Sequence, residues 1–409
     1  MSTNLDKGDF FKELKNRNLI YDSTPEGELR KILNANGGIY IGFDLTAPSL
    51  HWGHFLLLQI LNRASEYQIK TVIILGDFTT QIGDASLRKE DRNRLDISEQ
   101  NKNLQLIKVQ LSKFSPNSKI LLNSTFYNNF SISFLSETLN FFKLSQLLSK
   151  DFLKCRLKNQ TLTLKDIFYP VLQSYDFYQL FLKEGIQIQM GGQDQWGNIT
   201  TGMEFIRKNK NLALTGGFTV PLLTDSKGQK FGKSGKNTLF LCENLTPPYK
   251  CFQYFWNLSD EKIKELSCFI FDNSAKLDKC DSPKTLKERV IKYFFSQIYS
   301  SLRFSKIQKI SQLLFSNSNL NSDQLQLIGE EIPFYSASEF PNLSEILIKL
   351  GLSFSHSESK RLVEHEKCIY CFDYQCKNHK EKLDKNIGKD SYFLIQKGEK
   401  EFGLFKLIN

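Results

Sequence analysis

The sequence lacks any apolar run close to the roughly 18 residues that a membrane-spanning helix needs. Residues 1–20 have no continuous apolar stretch and little arginine, so we expect neither a secretory signal nor a transit peptide. The eight cysteines are scattered through apolar contexts and do not form the pattern of a disulfide framework. These absences favour a globular protein of a reducing compartment.

The chain has only a modest excess of one charge. Lys and Arg number 54 against 44 Asp and Glu, which gives a net charge of +10 over 409 residues. Such an excess is typical of a protein with a polyanionic partner such as nucleic acid, and it is also common on ordinary solvated surfaces. Charge alone leaves both interpretations open. The length of the chain predicts two or three domains.

Short apolar runs alternate with longer helical ones over residues 37–215. In chain order, the predicted elements are a strand at 38–43, a helix at 54–67, a strand at 71–75, a helix at 96–113, a strand at 119–122, a helix at 134–148 and a strand from Gln187. Apolar strands that alternate with helices form parallel sheets covered on both faces. We therefore predict an α/β fold with a doubly wound, Rossmann-like sheet, which binds ligands beyond the carboxyl ends of its strands.

The rest of the chain has a helical pattern followed by a small mixed one. Residues 246–330 lose the strand signal and begin with a helix opened by Thr246–Pro248. Residues 332–341 contain two prolines and are predicted to form a linker. Beyond them we expect a helix over 343–350, a second helix over 358–366 and then short strands.

The first candidate site follows the first predicted strand and contains His51 and His54. The two histidines are three residues apart, so they share one face at the start of a helix that Thr46 or Ser49 is expected to cap. Gly53 removes a side chain where another group approaches closely. Helix N–H groups and the helix dipole favour an anion, so the motif predicts a phosphate site. A pair of surface histidines or half of a metal site is the alternative.

The second candidate site contains Lys230, Lys233 and Ser234 and follows an apolar strand predicted from Val220. Two lysines in a glycine-containing loop provide compact charges that suit a pyrophosphate, which must later leave. A loop of solvated lysines is the alternative, and the motif alone does not decide between the two.

The third candidate site combines a polar helical stripe with a glycine pair. Tyr169, Gln173 and Asp176 lie at positions i, i+4 and i+7, so they either face solvent or line a polar pocket. The strand from Gln187 ends in the run 191–198, where paired glycines let the backbone approach a ligand.

Together, the HxGH and KxxKS motifs in an α/β domain resemble those of the class I aminoacyl-tRNA synthetases. Four further sequence segments narrow the resemblance to the bacterial-type tyrosyl-tRNA synthetases. These segments are residues 40–47, 82–86, 172–177 and 191–198. The resemblance extends from about residue 5 to the end of the chain. Residues 343–370 are similar to the S4-like RNA-binding domain of that family.

The resemblance implies a reaction in which ATP and L-tyrosine form tyrosyl-adenylate and pyrophosphate, after which the tyrosyl group passes to the 3′ end of tRNA(Tyr). It implies ATP with Mg²⁺ as substrate, no organic cofactor, no membrane association, a homodimer, and a location in the bacterial cytosol or in an organelle. The implied domains are a catalytic domain over 1–235 with a dimerisation segment near 120–165, a helical anticodon-side domain over 236–330, and an S4-like domain over 341–409.

The resemblance also implies roles for individual side chains. The tyrosine ligands are Tyr40 and Asp176 for the phenol, Asp84, Tyr169 and Gln173 for the ammonium, and Gln195 for the carboxyl. The ATP ligands are Gly42, Asp44, His51, His54, Gly192, Asp194 and Lys233. The catalytic residues are His51, His54, Lys230, Lys233 and Ser234, assisted by Arg88 and Arg92. Catalysis would consist of positioning and of stabilising charge on phosphate, with no covalent enzyme intermediate.

Several positions depart from the family pattern, and they are Ile41, Leu45, Trp52, Leu57 and Ala85. We expect them to affect nucleotide affinity more than the type of reaction. A further group superficially resembles a zinc knuckle, and it consists of Cys368, Cys371, Cys376 and His379. Residues 367–371 are expected to form a strand whose alternate side chains point in opposite directions, so zinc is not predicted.

Two other functions stay open at this point. A tryptophanyl-tRNA synthetase shares both nucleotide motifs, although Tyr40 with Asp176 argues for tyrosine. A non-catalytic RNA-binding or splicing paralogue would be expected to lose the histidine and lysine motifs, all of which are present.

Overall fold

The computed structural model describes residues 5–84, 96–128, 132–210, 213–222, 238–272, 282–316, 320–383 and 386–408. These residues belong to two structural units. The first unit comprises Met1–Cys242 and Leu258–Tyr293, and the second comprises Glu243–Asn257 and Phe294–Asn409. None of the helices in the described ranges is long and apolar enough to cross a membrane. The division into three domains stays a prediction.

Helices make up most of the regular structure. In chain order, they are α1 (Phe10–Asn16), α2 (Glu26–Asn34), α3 (Trp52–Glu66), α4 (Ile97–Phe114), α5 (Ile132–Leu139), α6 (Leu144–Leu148), α7 (Asp151–Lys158), α8 (Leu164–Glu184), α9 (Trp196–Asn209), α10 (Pro248–Trp256), α11 (Asp260–Ser267), α12 (Pro283–Ile298), α13 (Ser301–Phe315), α14 (Ser322–Gly329), α15 (Leu343–Lys349) and α16 (His356–Lys360). The single helix predicted at 134–148 is wrong. The structure has α5 and α6 there, because Lys143 between them is extended (φ −85°, ψ 123°).

The first unit is built on a parallel sheet, which has the order β3-β2-β1-β4-β5 in the part of the chain that the structure describes. Its strands are β1 (Gly38–Phe43), β2 (Thr71–Leu75), β3 (Lys119–Leu122), β4 (Ile186–Gly192) and β5 (Gly216–Val220). The strand order reverses between β1 and β4, and doubly wound sheets bind their ligands at this switch point. The predicted α/β class with a doubly wound sheet is confirmed.

Burial explains why the central strands form. Every residue of β2 is buried, and β1 is buried at every position except Gly42. Strands with two apolar faces are stable only when helices cover both sides of the sheet. The strand predicted from Val220 is wrong, because β5 ends at that residue. Pro221 follows it and has no N–H group with which to extend the ladder.

The second unit contains a helical cluster with an aromatic core. Phe252 of α10 packs against Phe295 of α12 and Phe304 of α13, and both pairs of ring centroids lie 6.1 Å apart. The helix predicted to open at Thr246–Pro248 is confirmed, since α10 begins at Pro248.

A small mixed sheet completes the second unit in the order β6-β10-β9-β7-β8 among the described residues. Its strands are β6 (Phe334–Ala337), β7 (Ile369–Cys371), β8 (Tyr374–Gln375), β9 (Tyr392–Lys397) and β10 (Glu401–Leu407). The linker predicted over 332–341 is wrong, because β6 lies within it and pairs in parallel with β10. The Tyr335 and Phe405 rings pack with centroids 5.6 Å apart, which gives this short strand an apolar partner.

Candidate active site

A cavity of about 270 Å³ opens at the carboxyl ends of β1 and β4 in the first unit. Most of the residues assigned to the site by sequence line it, and they are Tyr40, Gly42, Asp44, His51, His54, Asp84, Tyr169, Gln173, Asp176, Gly192, Asp194 and Gln195. The other candidates lie outside the described residues, and they are Arg88, Arg92, Lys230, Lys233 and Ser234. The switch point of the sheet thus brings together residues that are far apart in the sequence.

One end of the cavity, here called the Asp176 end, is lined by Tyr40 and Asp176, and Asn123 and Tyr127 hold the Asp176 carboxylate from outside the lining. The Asp176 carboxylate accepts hydrogen bonds from Asn123 Nδ2 (3.0 Å) and from the Tyr127 hydroxyl (2.8 Å). Tyr40 is 1% exposed, and its hydroxyl has no hydrogen-bond partner among the described residues. A buried hydroxyl without a partner is costly, so this end of the cavity suits a ligand that carries a polar atom.

Burial dominates the electrostatics at the Asp176 end. The pKa of the Asp176 carboxyl is raised to about 7: burial raises it most, the hydrogen bonds from Asn123 and Tyr127 lower it, and the charges of Asp44 and Asp77 raise it. Burial and the neighbouring Asp176 hold the pKa of Tyr40 well above its usual value. The Tyr40 hydroxyl therefore keeps its proton near neutral pH, whereas Asp176 changes its charge close to pH 7.

A second polar cluster follows Asp176 along the cavity wall. The Tyr169 hydroxyl donates to Asp44 Oδ2 (3.2 Å), and Gln195 Nε2 donates to Asp84 Oδ2 (2.7 Å). Gln173 Nε2 donates to Gln195 Oε1 (3.3 Å). Burial and the charges of Asp44 and Asp84 hold the pKa of Tyr169 well above its usual value. Two carboxylates with phenol and amide oxygens form a suitable environment for a cation.

The amide groups of this cluster are held by a residue of α9. Asn198 Nδ2 donates to Gln173 Oε1 (3.1 Å) and to Gln195 Oε1 (3.2 Å), and Asn198 itself is fully buried. Gly191 contributes through its missing side chain, because a Cβ there would lie 2.8 Å from Cβ of Gln195. Gly191 thus makes room for a neighbouring site residue, and the close approach of a ligand to the paired glycines stays a prediction.

A separate part of the cavity wall, here called the His51 end, contains His51 and His54. The two rings stack with centroids 3.5 Å apart and an interplanar angle of 19°. His51 is the N-cap of α3, and its Nδ1 accepts from His54 N (3.2 Å). The expected capping by Thr46 or Ser49 is wrong, because the imidazole takes this role. Ser49 Oγ instead accepts from the backbone N–H of Cys242 (3.1 Å).

Comparison with known proteins decides the family. A sequence model of the class I tRNA synthetases for tryptophan and tyrosine (W and Y) matches residues 34–320. A tyrosine–tRNA ligase of Mycoplasma mobile is 35% identical over 376 residues, which cover 87% of this chain and 89% of that protein. A tyrosine–tRNA ligase of Ureaplasma parvum is 38% identical over 336 residues, which cover 79% and 80%.

The chain belongs to the bacterial-type tyrosyl-tRNA synthetases of class I. A solved structure supports the same fold, the C-terminally truncated mitochondrial tyrosyl-tRNA synthetase of Coccidioides posadasii. It has a TM-score of 0.62 and 27% identity, and the match covers 73% of this chain and 91% of that one.

The residues that depart from the pattern of the tyrosyl-tRNA synthetases divide into two groups. Ile41 and Leu57 line the cavity, so they are placed to contact a ligand. Trp52 and Leu45 are fully buried, and Trp52 packs edge-on against Phe55 with ring centroids 5.8 Å apart. Ala85 lies outside the described residues. Of the four departures that the structure describes, Ile41 and Leu57 are thus the ones placed to change nucleotide affinity directly.

Sequence reasoning missed Asn123 and Tyr127. Besides Asp176, Asn123 Nδ2 reaches Thr79 Oγ1 (2.9 Å), and its Oδ1 accepts from Phe78 N (2.9 Å). Asn123 is the first residue after β3, so it stands at the carboxyl end of a strand in the predicted parallel sheet. Inspection of the polar residue that follows each predicted strand would have found it.

Two of the candidate zinc ligands lie in an apolar core of the second unit. Cys371 and Cys376 are buried together with residues such as Ile369 and Phe393. Burial raises the pKa of the Cys376 thiol to about 12 and that of Cys371 even higher, which disfavours the thiolate that zinc requires. Over the described ranges, no group of three or more His, Cys, Asp or Glu residues is placed to hold a metal ion. The absence of zinc stays a prediction.

Proposed function

We propose that the chain is a tyrosine–tRNA ligase, which activates L-tyrosine with ATP and then transfers the tyrosyl group to tRNA(Tyr). The observation that carries the proposal is the Asp176 end of the cavity. There, a carboxylate is fixed by two donors beside a buried tyrosine hydroxyl that lacks a hydrogen-bond partner among the described residues. A phenol placed between Tyr40 and Asp176 would satisfy the unpaired hydroxyl and donate to the carboxylate.

The same feature accounts for selection against phenylalanine. A site built to hydrogen-bond a hydroxyl rejects the analogue that lacks it, because its buried polar groups would stay unpaired, and tyrosyl-tRNA synthetases are themselves a standard example of this rule. Tryptophan has an indole N–H in place of the phenol and needs a wider pocket. We therefore propose tyrosine as the substrate, within a family that includes enzymes for both amino acids.

In the first step, the tyrosine carboxylate attacks the α-phosphorus of ATP, and the bond to the β-phosphate oxygen breaks to release pyrophosphate. We propose that Asp84, Tyr169 and Gln173 hold the ammonium and that Gln195 orients the carboxylate. His51 and His54 would stabilise the charge that develops on the α-phosphate. By family resemblance, Lys230, Lys233 and Ser234 would clamp the leaving pyrophosphate with the help of Arg88 and Arg92.

The remaining ATP contacts are proposed from the same resemblance and from their place on the cavity wall. Gly42, Asp44, Gly192 and Asp194 line it and would contact the nucleotide. Asp44 also accepts from Tyr169 in this structure, so it would serve both substrates. Mg²⁺ would enter with ATP, bound chiefly by phosphate oxygens.

In the second step, a hydroxyl of the terminal ribose of tRNA attacks the tyrosyl carbonyl, and AMP leaves. We propose a homodimer as the acting form, with tRNA contacts in the S4-like part of the chain, because both are features of the family. The bacterial relatives support the bacterial cytosol as the location, and an organelle is the alternative.

Amino-acid-dependent exchange of pyrophosphate into ATP tests the proposal. We expect exchange with tyrosine and none with tryptophan or phenylalanine at the same concentration. Exchange with tryptophan alone would contradict the substrate assignment. No exchange with any of the three would favour a non-catalytic RNA-binding protein.

A further inference from the structure

One face of α4 carries amide side chains that bond to the backbone of neighbouring loops. Gln100, Asn103 and Gln110 share this face, since they lie at positions i, i+3 and i+10. Gln100 Nε2 donates to the carbonyl oxygen of Asp77, after β2, and Asn103 Nδ2 donates to that of Leu45, after β1 (3.0 Å). The helix thereby holds loops that leave the carboxyl ends of two central strands.

Gln110 makes the most extensive of these contacts. Its Oε1 accepts from the backbone N–H of Leu50 (2.8 Å), and its Nε2 donates to Ser49 Oγ (2.9 Å). Ser49 is 3% exposed, and its Oγ also accepts from the backbone N–H of Cys242 (3.1 Å). The Gln110 amide thus holds the turn before α3 directly and reaches the chain at Cys242 through Ser49 Oγ.

These two segments also pair with each other around His51. Leu241 N donates to Leu50 O (2.8 Å), Trp52 N donates to Leu239 O (3.1 Å), and His51 forms an antiparallel bridge with Phe240. The residues before and after His51 are therefore both hydrogen-bonded to the segment 239–241, which fixes the backbone of the first residue of the HxGH motif.

We propose that Gln110 is a positioning residue for adenylate formation, which fixes His51 and residues 239–242 relative to each other without touching the substrates. Gln110 is not among the residues that line the cavity, whereas Ser49, Leu50 and Phe240 line it. The proposal rests on the proposed function, because it assigns His51 to the reaction of ATP.

The effect of Gln110 is confined to one end of the cavity. The Asp176 end is held by Asn123 and Tyr127, and Gln110 takes no part in their hydrogen bonds to Thr79, Leu172 and Asp176. Loss of the amide should therefore impair the use of ATP and leave tyrosine affinity intact. A residue that only stabilised the fold would change both together.

The test compares Gln110→Leu, Gln110→Glu and Gln105→Leu with the unchanged full-length protein. Leucine is similar in size to glutamine and removes the hydrogen bonds to Leu50 N and Ser49 Oγ. Glutamate keeps the acceptor for Leu50 N. Gln105 is exposed on the same helix, so its variant controls for the change of residue type. The measurements are tyrosine-dependent pyrophosphate exchange as a function of ATP, and equilibrium binding of tyrosine alone.

We expect Gln110→Leu to lower kcat/KM for ATP about tenfold, with an unchanged dissociation constant for tyrosine. Gln110→Glu should recover most of the loss, and Gln105→Leu should match the unchanged protein. Equal loss of tyrosine affinity and ATP use in Gln110→Leu, or full activity of that variant, would overturn the proposal.

If Gln110→Leu does not fold, Ser49→Ala tests the same junction, because it removes the bond to Cys242 N and the acceptor of Gln110 Nε2. Its expected pattern is the same, and full activity of Ser49→Ala would overturn the proposal. Absence of exchange in the unchanged protein would refute the proposed function and this inference with it. Exchange in the unchanged protein with no effect of either substitution would refute this inference alone.

Discussion

The two ends of the cavity are fixed by different kinds of contact. At the Asp176 end, side chains hold a side chain, because Asn123 and Tyr127 both donate to the Asp176 carboxylate. At the His51 end, backbone holds backbone, because residues 50–52 pair with residues 239–241. The first arrangement depends on particular donor and acceptor side chains, whereas the second depends on the backbone and fixes the path of the chain.

This difference matches the different tasks of the two ends in the proposed reaction. Recognition of a phenol needs specific donors and acceptors in a buried environment, where an unpaired group costs free energy. Stabilising the charge that develops on the α-phosphate needs correctly placed groups that bind the transition state more tightly than the bound substrate. The two tasks should therefore be separable by mutation.

The largest effect is expected from Asp176→Asn. The new NH₂ group would face either Asn123 Nδ2, which is a donor, or the Tyr127 hydroxyl, which would have to accept instead of donate, and the charged acceptor for the phenol would be lost. We expect the dissociation constant for tyrosine to rise about 100-fold, with KM for ATP nearly unchanged. Equilibrium binding and exchange kinetics check this, with the exposed Asp151→Asn as control. Equal damage to both substrates would mean that the cavity is misassigned.

His54→Ala should have the next largest effect, at the His51 end. We expect the rate of tyrosyl-adenylate formation to fall about 30-fold, because a donor to the developing phosphate charge is lost, while tyrosine affinity stays the same. Stopped-flow or exchange measurements check the rate, and the exposed His356→Ala provides the control. A matching loss of tyrosine affinity would break the comparison between the two ends.

Asn123→Ala tests a residue that supports Asp176. We expect tyrosine affinity to fall about tenfold, because one oxygen of the carboxylate loses its donor. The exposed Asn101→Ala is the matched control. Unchanged tyrosine affinity in Asn123→Ala would show that Tyr127 alone holds Asp176 in place.

The smallest effect is expected from pH. The pKa of Asp176 is raised to about 7, chiefly by burial, so the group is protonated below that pH and has one acceptor fewer for the phenol. Tyrosine affinity should therefore fall about threefold between about pH 7.5 and about pH 6.5. Because the Asn123 bond lowers this pKa, the midpoint should move to higher pH in Asn123→Ala. A pH dependence that persists in Asp176→Asn would contradict this explanation.

The elements and site residues that could be predicted are those whose signal is local. β1, β2 and β3 are apolar runs, and Tyr169, Gln173 and Asp176 share a helical face whatever surrounds them. β6 could not be predicted, because its four residues become a strand only through β10, far along the chain. The bonds of Asn123 and Tyr127 to Asp176 likewise join residues about fifty positions apart.

The capping of α3 by His51 shows a different limit of sequence reasoning. Serine and threonine are preferred caps, so Thr46 and Ser49 were the natural candidates. The imidazole of His51 replaced them because it stacks on His54 and accepts from its N–H. Ser49 Oγ instead accepts hydrogen bonds from Gln110 Nε2 and Cys242 N, and no local sequence pattern predicts these long-range bonds.

Titration of tyrosine into the Asp176→Asn and His54→Ala proteins without ATP tests the central claim most directly, because it isolates one end of the cavity. The claim predicts a large loss of tyrosine affinity in Asp176→Asn and an affinity equal to that of the unchanged protein in His54→Ala. Equal losses in the two variants would contradict it.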